Sequence, residues 1–202
     1  MKILVFGDSI AWWAFDIEMW WRVERLKTYF LAEYSETGLW IYNCSVSSND
    51  SRWVLRVMSQ DIEKITGIEP ENLGIMIAIG TNDCRYITDE ICIEFDEFSQ
   101  NISTLLEHAL QYTAHVRMVW WFPIDEKAVN PWCWSEWYRN KDLYTYTCEM
   151  KRLSENYNVP FIDIWNTISA DDLSDGLHPN ANGHYKIYEQ VKKHLQDTNS
   201  TI

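Results

Sequence analysis

The 202-residue chain has little of several features that mark particular protein classes. It contains 7 glycines, where average usage of roughly 7% would give about 14. Its 17 basic residues are outnumbered by 30 acidic ones, and the net charge of -13 repels phosphate backbones, so we expect no nucleic-acid partner. No run of 18 apolar residues occurs, and the apolar start at residues 1–6 is too short for a signal peptide. We therefore expect a cytoplasmic protein without a membrane span.

Motifs for disulfides, metals and nucleotides are also missing. The five cysteines include no C-x-x-C pair, and their odd number leaves at least one outside any disulfide scheme. The histidines form no H-E-x-x-H frame, and neither a G-x-x-x-x-G-K nor a G-x-G-x-x-G loop occurs. The G-x-S-x-G motif of the α/β-hydrolase fold is absent as well. We expect no metal and no cofactor.

What the chain does contain is an alternation of short apolar runs with longer segments of helical period. The clearest helix has an apolar stripe that begins at Phe95 and ends at Tyr112. Because no linker, charge block or repeat interrupts it, this alternation predicts one three-layer α/β/α domain that spans residues 1–202. Its sheet would have five parallel strands, at Lys2–Phe6, Leu39–Asn43, Leu73–Ile79, Val116–Phe122 and Pro160–Ile164.

Polar residues follow these strands where an open parallel sheet binds its ligands, beyond the carboxyl ends. Ser9 follows the first strand, and Asp175 and His178 lie three residues apart after the last one. A serine becomes a nucleophile when a histidine takes its proton and a carboxylate orients that histidine, so these three residues are candidates for a catalytic triad. Asn82, after the third strand, and the backbone N–H groups of Ser9 and Ser45 are candidate donors to an oxyanion.

Three segments together resemble the SGNH hydrolases, also called GDSL esterases and lipases. They are Gly7-Asp8-Ser9-Ile10, Gly80-Thr81-Asn82-Asp83 and Asp175-Gly176-Leu177-His178-Pro179-Asn180. The resemblance implies a flavodoxin-like sheet and metal-free hydrolysis of a small-molecule ester, with Ser9 as nucleophile, His178 as base, Asp175 as its orienting group and Asn82 in the oxyanion hole. It gives no oligomeric state.

One segment departs from the family pattern. The family has Asn-x-Gly after the second strand, whereas this chain has Asn43-Cys44-Ser45, and a serine is strained wherever the glycine had a positive φ. A second interpretation is therefore a catalytically weakened member that binds a ligand, such as a carbohydrate, with aromatic rings. The candidate rings are Trp12, Trp13, Trp20, Trp21, Trp132, Trp134 and Trp137.

The 12 tryptophans suggest a further hypothesis when set beside the scarce glycines. Trp13, Trp20 and Trp120 stand where the resembling family often has glycine. Either these are genuine tryptophans that reshape the rim of the pocket, or the gene has UGA codons that its genome reads as glycine. UGG at these three codons would eliminate the second alternative.

The segment from Asp125 to Trp137 is polar and aromatic and has no long apolar stretch to shelter a fatty chain. We therefore expect a short acyl group, with the acetyl ester of a carbohydrate as one form of substrate.

Overall fold

The computed structural model describes residues 1–12, 14, 26–29, 40–65, 70–133 and 135–198, which form two sheets and the helices around them. The strands in chain order are β1 (Lys2–Gly7), β2 (Trp40–Asn43), β3 (Leu73–Ala78), β4 (Tyr86–Ile87), β5 (Glu90–Ile91), β6 (His115–Val119), β7 (Glu136–Trp137) and β8 (Phe161–Ile162). The main sheet has the order β2-β1-β3-β6-β8, and all its strands are parallel.

The two central strands show why the sequence predicted this sheet correctly. All six residues of β3 are buried, as are five of the six in β1, because helices cover both faces. The predicted strand Val116–Phe122 is shorter in the structure, where β6 ends at Val119. Its neighbour β8 has only two residues, and their pairing ends where Val119 meets Ile162.

The helices are α1 (Ser9–Trp12), α2 (Ser51–Ile65), α3 (Phe95–Tyr112), α4 (Glu126–Val129), α5 (Asn140–Asn156) and α6 (Ala181–Thr198). Helix α3 packs between α2 and α5. Helix α6 instead lies beside residues 26–29, where Gln196 donates a hydrogen bond to Tyr29. The chain moves outward from β1 to β2 and then back across β1 to β3.

This reversal of direction gives the flavodoxin-like strand order and sets the place of a ligand site. Strands β1 and β3 are neighbours, but the chain leaves them toward opposite edges of the sheet. A crevice therefore opens beyond their carboxyl ends, which is where such folds bind ligands. The segments 7–9 and 80–83 emerge at this crevice.

A second, antiparallel sheet in the order β5-β4-β7 was not predicted from the sequence. Each of its strands has two residues, which is too short for a periodic pattern to show. Tyr86 of β4 pairs with Ile91 of β5 on one side and with Trp137 of β7 on the other.

Trp120 follows β6 and is completely buried in the core, so it does not reshape a pocket rim. Its indole N–H finds no acceptor among the described residues, and an unpaired buried donor costs roughly 1–3 kcal/mol. Trp13 and Trp20 lie outside the described residues. The codons at positions 13, 20 and 120 decide between genuine tryptophans and recoded glycines.

None of the helices that the structure describes is long and apolar enough to cross a membrane.

Candidate active site

The turn that carries Ser9 is built by the two residues before it. At Gly7 a side chain would bring Cβ within 2.5 Å of both Ala11 Cβ and Ala78 O, so only glycine fits between β1 and β3 here. Asp8 is fully buried, and its Oδ1 accepts the N–H of Ile10 at 2.9 Å. Ser9 is thereby held as the first residue of α1, directly beyond β1.

The loop that carries His178 is organised by Asp175. Asp175 Oδ1 accepts two backbone N–H groups, from Leu177 at 2.9 Å and from His178 at 2.7 Å. Gly176, which lies between Asp175 and Leu177, has φ 86, and a Cβ there would lie 2.8 Å from Ala128 Cβ. The other carboxylate oxygen, Oδ2, is thus left to face the imidazole.

The structure brings Ser9, His178 and Asp175 into one chain of hydrogen bonds. Ser9 Oγ lies 3.0 Å from His178 Nε2, and His178 Nδ1 lies 2.8 Å from Asp175 Oδ2. Burial opposes ionisation of Asp175, but the hydrogen bonds from His178 and from the backbone outweigh it and lower the pKa of the carboxyl. An ionised Asp175 accepts from Nδ1–H, which leaves Nε2 with a lone pair toward the serine hydroxyl.

Asn82 faces the same pocket, and its amide is held from both ends. Its Nδ2 donates to Asn49 O at 2.8 Å, and its Oδ1 accepts from the Tyr138 hydroxyl at 3.4 Å. These contacts fix which end of the amide points to Asn49. One N–H of Nδ2 remains for a ligand.

Ser45 does not join this group, so the expectation for it is corrected. Its N–H donates to Asn43 Oδ1 at 2.9 Å, and its hydroxyl donates to Val5 O at 3.3 Å. Ser45 therefore packs against β1 beside Gly7 rather than in the pocket. The physical reason is that an Asx turn at Asn43 consumes the N–H that the sequence left unassigned.

The turn after β2 contributes a different serine to the pocket, Ser48. It lines the pocket with Ser9 and Asn82, and its φ of 64 puts it in the left-handed region. Sequence inspection missed it because the run Ser47-Ser48-Asn49-Asp50 does not show which residue adopts a positive φ.

We expect Ser48→Gly to stabilise the protein by about 1 kcal/mol, because a left-handed conformation costs a residue with Cβ roughly 1–2 kcal/mol and glycine almost none. In a domain of this size the melting temperature would rise by about 2–4 °C. Ser47→Gly is the matched control, since φ at Ser47 is not positive, and it should lower the melting temperature. An equal fall in both variants would contradict the prediction.

The pocket around these groups has a volume of about 200 Å³. Ser9, Asn82 and His178 line it. The second sheet and the residues next to it form another part of the wall and contribute Arg85, Trp132, Cys133, Glu136 and Tyr138. The pocket is smaller than the roughly 300–1,000 Å³ typical of sites for drug-sized ligands.

A buried carboxyl group underlies the site. Asp83 is fully buried, and its two carboxylate oxygens lie 3.1 and 3.2 Å from the Ser51 N–H, which donates to them. Burial raises the pKa of Asp83 from its ordinary 3.8 to about 7, although the hydrogen bonds from Ser51 oppose this. Asp83 thus connects the turn after β3 to the start of α2.

This pKa predicts a pH-dependent stability. Between about pH 4 and 7 the unfolded chain loses the Asp83 proton while the folded protein keeps it, so stability falls as pH rises. A shift of this size corresponds to roughly 4 kcal/mol. Asparagine has no carboxyl proton to lose. We therefore expect the free energy of unfolding of Asp83→Asn, measured in urea, to rise by about that much relative to wild type as the pH increases from 4 to 8.

The control for Asp83→Asn is Asp163→Asn, which removes an exposed carboxylate that also accepts a backbone N–H. A stability difference between Asp83→Asn and wild type that does not change with pH would contradict the prediction.

The described residues contain no group of three or more His, Cys, Asp or Glu side chains arranged to hold a metal ion.

Comparison with solved structures shows the same fold in known proteins. LAE5, an alpha/beta hydrolase enzyme from the metagenome of Lake Arreo, Spain, is 18% identical with a TM-score of 0.74, covering 96% of this chain and 94% of that one. Two variants of Axe2 from Geobacillus stearothermophilus are each 19% identical and cover 96% of this chain. One, an acetyl xylan esterase, has a TM-score of 0.74 over 94% of its own chain. The other, an acetyl-xylooligosaccharide esterase, has a TM-score of 0.75 over 93%.

Sequence comparison assigns the family. No sequence among the curated proteins matches the chain significantly. Residues 5–186, however, match the GDSL-like Lipase/Acylhydrolase family, and this range includes Ser9, Asn82, Asp175 and His178. With nine-tenths of its length matched in this way, the chain belongs to the GDSL-like lipase/acylhydrolase family.

Proposed function

We propose that the protein is a serine esterase that hydrolyses short acyl esters, acetyl esters above all, through an acyl-enzyme intermediate. The observation that carries the proposal is the chain of hydrogen bonds from Ser9 through His178 to Asp175, with distances of 3.0 and 2.8 Å. Family membership supports hydrolase chemistry at this site.

In the first half of the reaction, Ser9 Oγ attacks the carbonyl carbon of the ester while its proton passes to His178 Nε2. The carbonyl oxygen becomes an oxyanion. The C–O bond to the alcohol then breaks, and the imidazolium returns the proton to the departing alcohol oxygen. The acyl group remains on Ser9, and Asp175 stabilises the positive imidazolium through Nδ1–H.

The second half repeats these steps with water. Water attacks the acyl carbon and gives a proton to Nε2, and the bond to Ser9 Oγ breaks as that oxygen takes the proton back. The acid leaves and the free enzyme is restored.

We assign the oxyanion to the backbone N–H groups of Ser9 and Ser48 and to the Asn82 amide. All three residues line the pocket beside His178. The hydrogen bonds of Asn82 to Asn49 and Tyr138 hold its amide before the substrate arrives, so little reorganisation is needed in the transition state.

The size and polarity of the pocket support a short acyl group. With a volume of about 200 Å³ and serine, arginine and glutamate in its wall, it offers a long hydrocarbon chain little apolar surface to bury. The solved acetyl xylan esterases of the same fold support an acetyl ester of a carbohydrate as the substrate class.

We expect kcat/KM to be highest for acetyl or propionyl in a series of p-nitrophenyl esters from acetyl to palmitoyl, because added methylenes cannot be buried in the pocket. Initial rates of p-nitrophenol release provide the measurement, with Ser9→Ala protein as the control for background hydrolysis. A preference for octanoyl or longer esters would reverse the assignment of acyl length.

The alternative of a weakened, ligand-binding family member has less support from the described residues. It was motivated by Ser45, which lies outside the pocket. Trp132 lies in the pocket wall, while Trp12 and Trp137 are about half exposed. Trp13, Trp20, Trp21 and Trp134 lie outside the described residues. Turnover of p-nitrophenyl acetate that disappears in Ser9→Ala separates an enzyme from a binding protein.

A further inference from the structure

The wall of the pocket contains an ion pair that the reaction described above does not use. Arg85 Nη1 lies 3.2 Å from both carboxylate oxygens of Glu136. The side chains are 15% and 21% exposed, so the pair is largely shielded but still reaches the pocket. Arg85 precedes β4 and Glu136 begins β7, so the second sheet holds both residues in place.

The pair leaves hydrogen-bonding capacity free. A guanidinium has five N–H groups. Arg85 donates to Glu136 through Nη1 and also has a hydrogen bond with the Cys92 side chain, while its Nε is buried without an acceptor among the described residues. Both carboxylate oxygens of Glu136 accept from the same nitrogen, Arg85 Nη1. Lone pairs on the carboxylate therefore also remain available to accept hydrogen bonds from a ligand. The wall thus presents donors and acceptors side by side.

An aromatic ring lies next to the pair. Trp132 and Glu136 exchange two backbone hydrogen bonds, of 2.7 and 2.9 Å. The Trp132 ring centroid is 5.5 Å from that of His178. His178 is the group that returns a proton to the departing alcohol, so the ring and the ion pair border the alcohol part of the ester rather than the acyl part.

The charge balance of this wall selects against anions. Glu136 compensates the charge of Arg85, and the protein as a whole carries a net charge of -13. A neutral ligand with several hydroxyls suits the wall better, since each hydroxyl can accept from arginine and donate to carboxylate. The flat face of Trp132 provides apolar contact for a ring of C–H groups.

We propose that Arg85 and Glu136, together with Trp132, form a subsite for the alcohol part of the substrate and select a neutral, polyhydroxylated ring such as a sugar over an anionic alcohol. This inference rests on the proposed esterase function and adds the residues that decide which alcohol is accepted.

The first test compares two acetyl esters that differ in hydroxyl groups, a mono-O-acetylated methyl xyloside and p-nitrophenyl acetate. Arg85→Met removes the donors at similar side-chain length. We expect the ratio of kcat/KM for the glycoside to that for p-nitrophenyl acetate to fall about tenfold or more, the effect of losing one or two hydrogen bonds. Arg152→Gln, at an exposed ion pair on α5, is the matched control and should leave the ratio unchanged.

The second test uses two esters of similar shape and different charge, O-acetylsalicylate and its methyl ester, which differ by one methyl group. We expect wild type to prefer the neutral methyl ester, and Glu136→Gln to shift this preference toward the anion by about tenfold, because Arg85 is then uncompensated. Arg85→Met/Glu136→Gln, which leaves no unpaired charge, should abolish the shift. An unchanged glycoside ratio in Arg85→Met, or a wild-type preference for the anion, would overturn the subsite.

Failure of the esterase proposal gives a different result, namely no turnover of p-nitrophenyl acetate by wild type. In that case calorimetric titration of Ser9→Ala protein with methyl xyloside decides the subsite separately. Weaker binding of methyl xyloside when Arg85→Met is added to the Ser9→Ala protein supports the subsite. Equal binding by the two proteins, or no binding by either, overturns it.

Discussion

Replacing Ser9 by alanine is expected to lower kcat/KM for p-nitrophenyl acetate by about 10⁴-fold or more. The variant keeps the pocket and the oxyanion donors but has no atom to form the acyl-enzyme. His178 Nε2, which lies 3.0 Å from Ser9 Oγ, then has no hydroxyl to deprotonate. The measurement is the initial rate of p-nitrophenol release, with folding checked by circular dichroism.

Ser45→Ala is the matched control for this prediction. Ser45 is also a buried serine at the end of a strand, but its hydroxyl donates to Val5 O outside the pocket. We expect its removal to lower stability by about 1 kcal/mol and to change kcat/KM by less than about threefold.

A fluorophosphonate probe tests the same role directly, because the oxygen of an activated serine attacks its phosphorus and displaces fluoride, which leaves a covalent adduct. Mass spectrometry should find the adduct on Ser9, and His178→Ala should abolish it. An adduct on another residue, or undiminished labelling of His178→Ala, would refute the assignment.

The second large effect is expected for Asp175→Asn, which should lower kcat about 10⁴-fold. An asparagine oxygen can still accept the N–H groups of Leu177 and His178, so the loop keeps its conformation. The amide nitrogen would then replace Oδ2 and donate to Nδ1 of the imidazole. That exchange places the proton of a neutral His178 on Nε2, which can no longer accept the Ser9 proton.

Asp163→Asn is the control for Asp175→Asn, because Asp163 also accepts the backbone N–H of a residue two positions later, at 2.9 Å, but lies on the surface. We expect no loss of activity there. Should Asp175→Asn retain more than about a tenth of wild-type kcat while folded, the orienting role of Asp175 would be wrong.

The sequence predicted the main sheet and most of its helices because both have repeated patterns of adequate length. Burial on both faces makes β1 and β3 continuous apolar runs, and the stripe of α3 repeats over five turns. Strands β4, β5 and β7 have two residues each, so their sheet was missed, whereas β8, equally short, lies within the predicted strand Pro160–Ile164. Strand β5 pairs locally with β4, but β7 joins the sheet by pairing across about 50 residues, as Tyr86 does with Trp137.

Local chemistry at the strand ends also indicated four of the five candidate residues. Ser9, Asn82, Asp175 and His178 each follow a strand, and parallel strands deliver their carboxyl ends to one edge. The structure brings their side chains to one pocket or one hydrogen-bond chain, and their roles in catalysis are the proposal made above. The expectation for Ser45 was not met because it concerned a backbone N–H, whose direction depends on the conformation of a turn rather than on residue type.

The sequence by itself therefore determined the succession of residue types along the chain. Apolar runs that must be buried are followed, at their ends, by serine, asparagine, aspartate and histidine. Only the tertiary structure decided which residue of the turn after β2 lines the pocket and which side chains line it together with Ser9. Ser48 acquires its position from φ 64 in a turn, and Arg85 meets Glu136 across 51 residues of chain. Turn dihedrals and long-range pairing are set by packing of the whole domain, and neither leaves a periodic signal in the sequence.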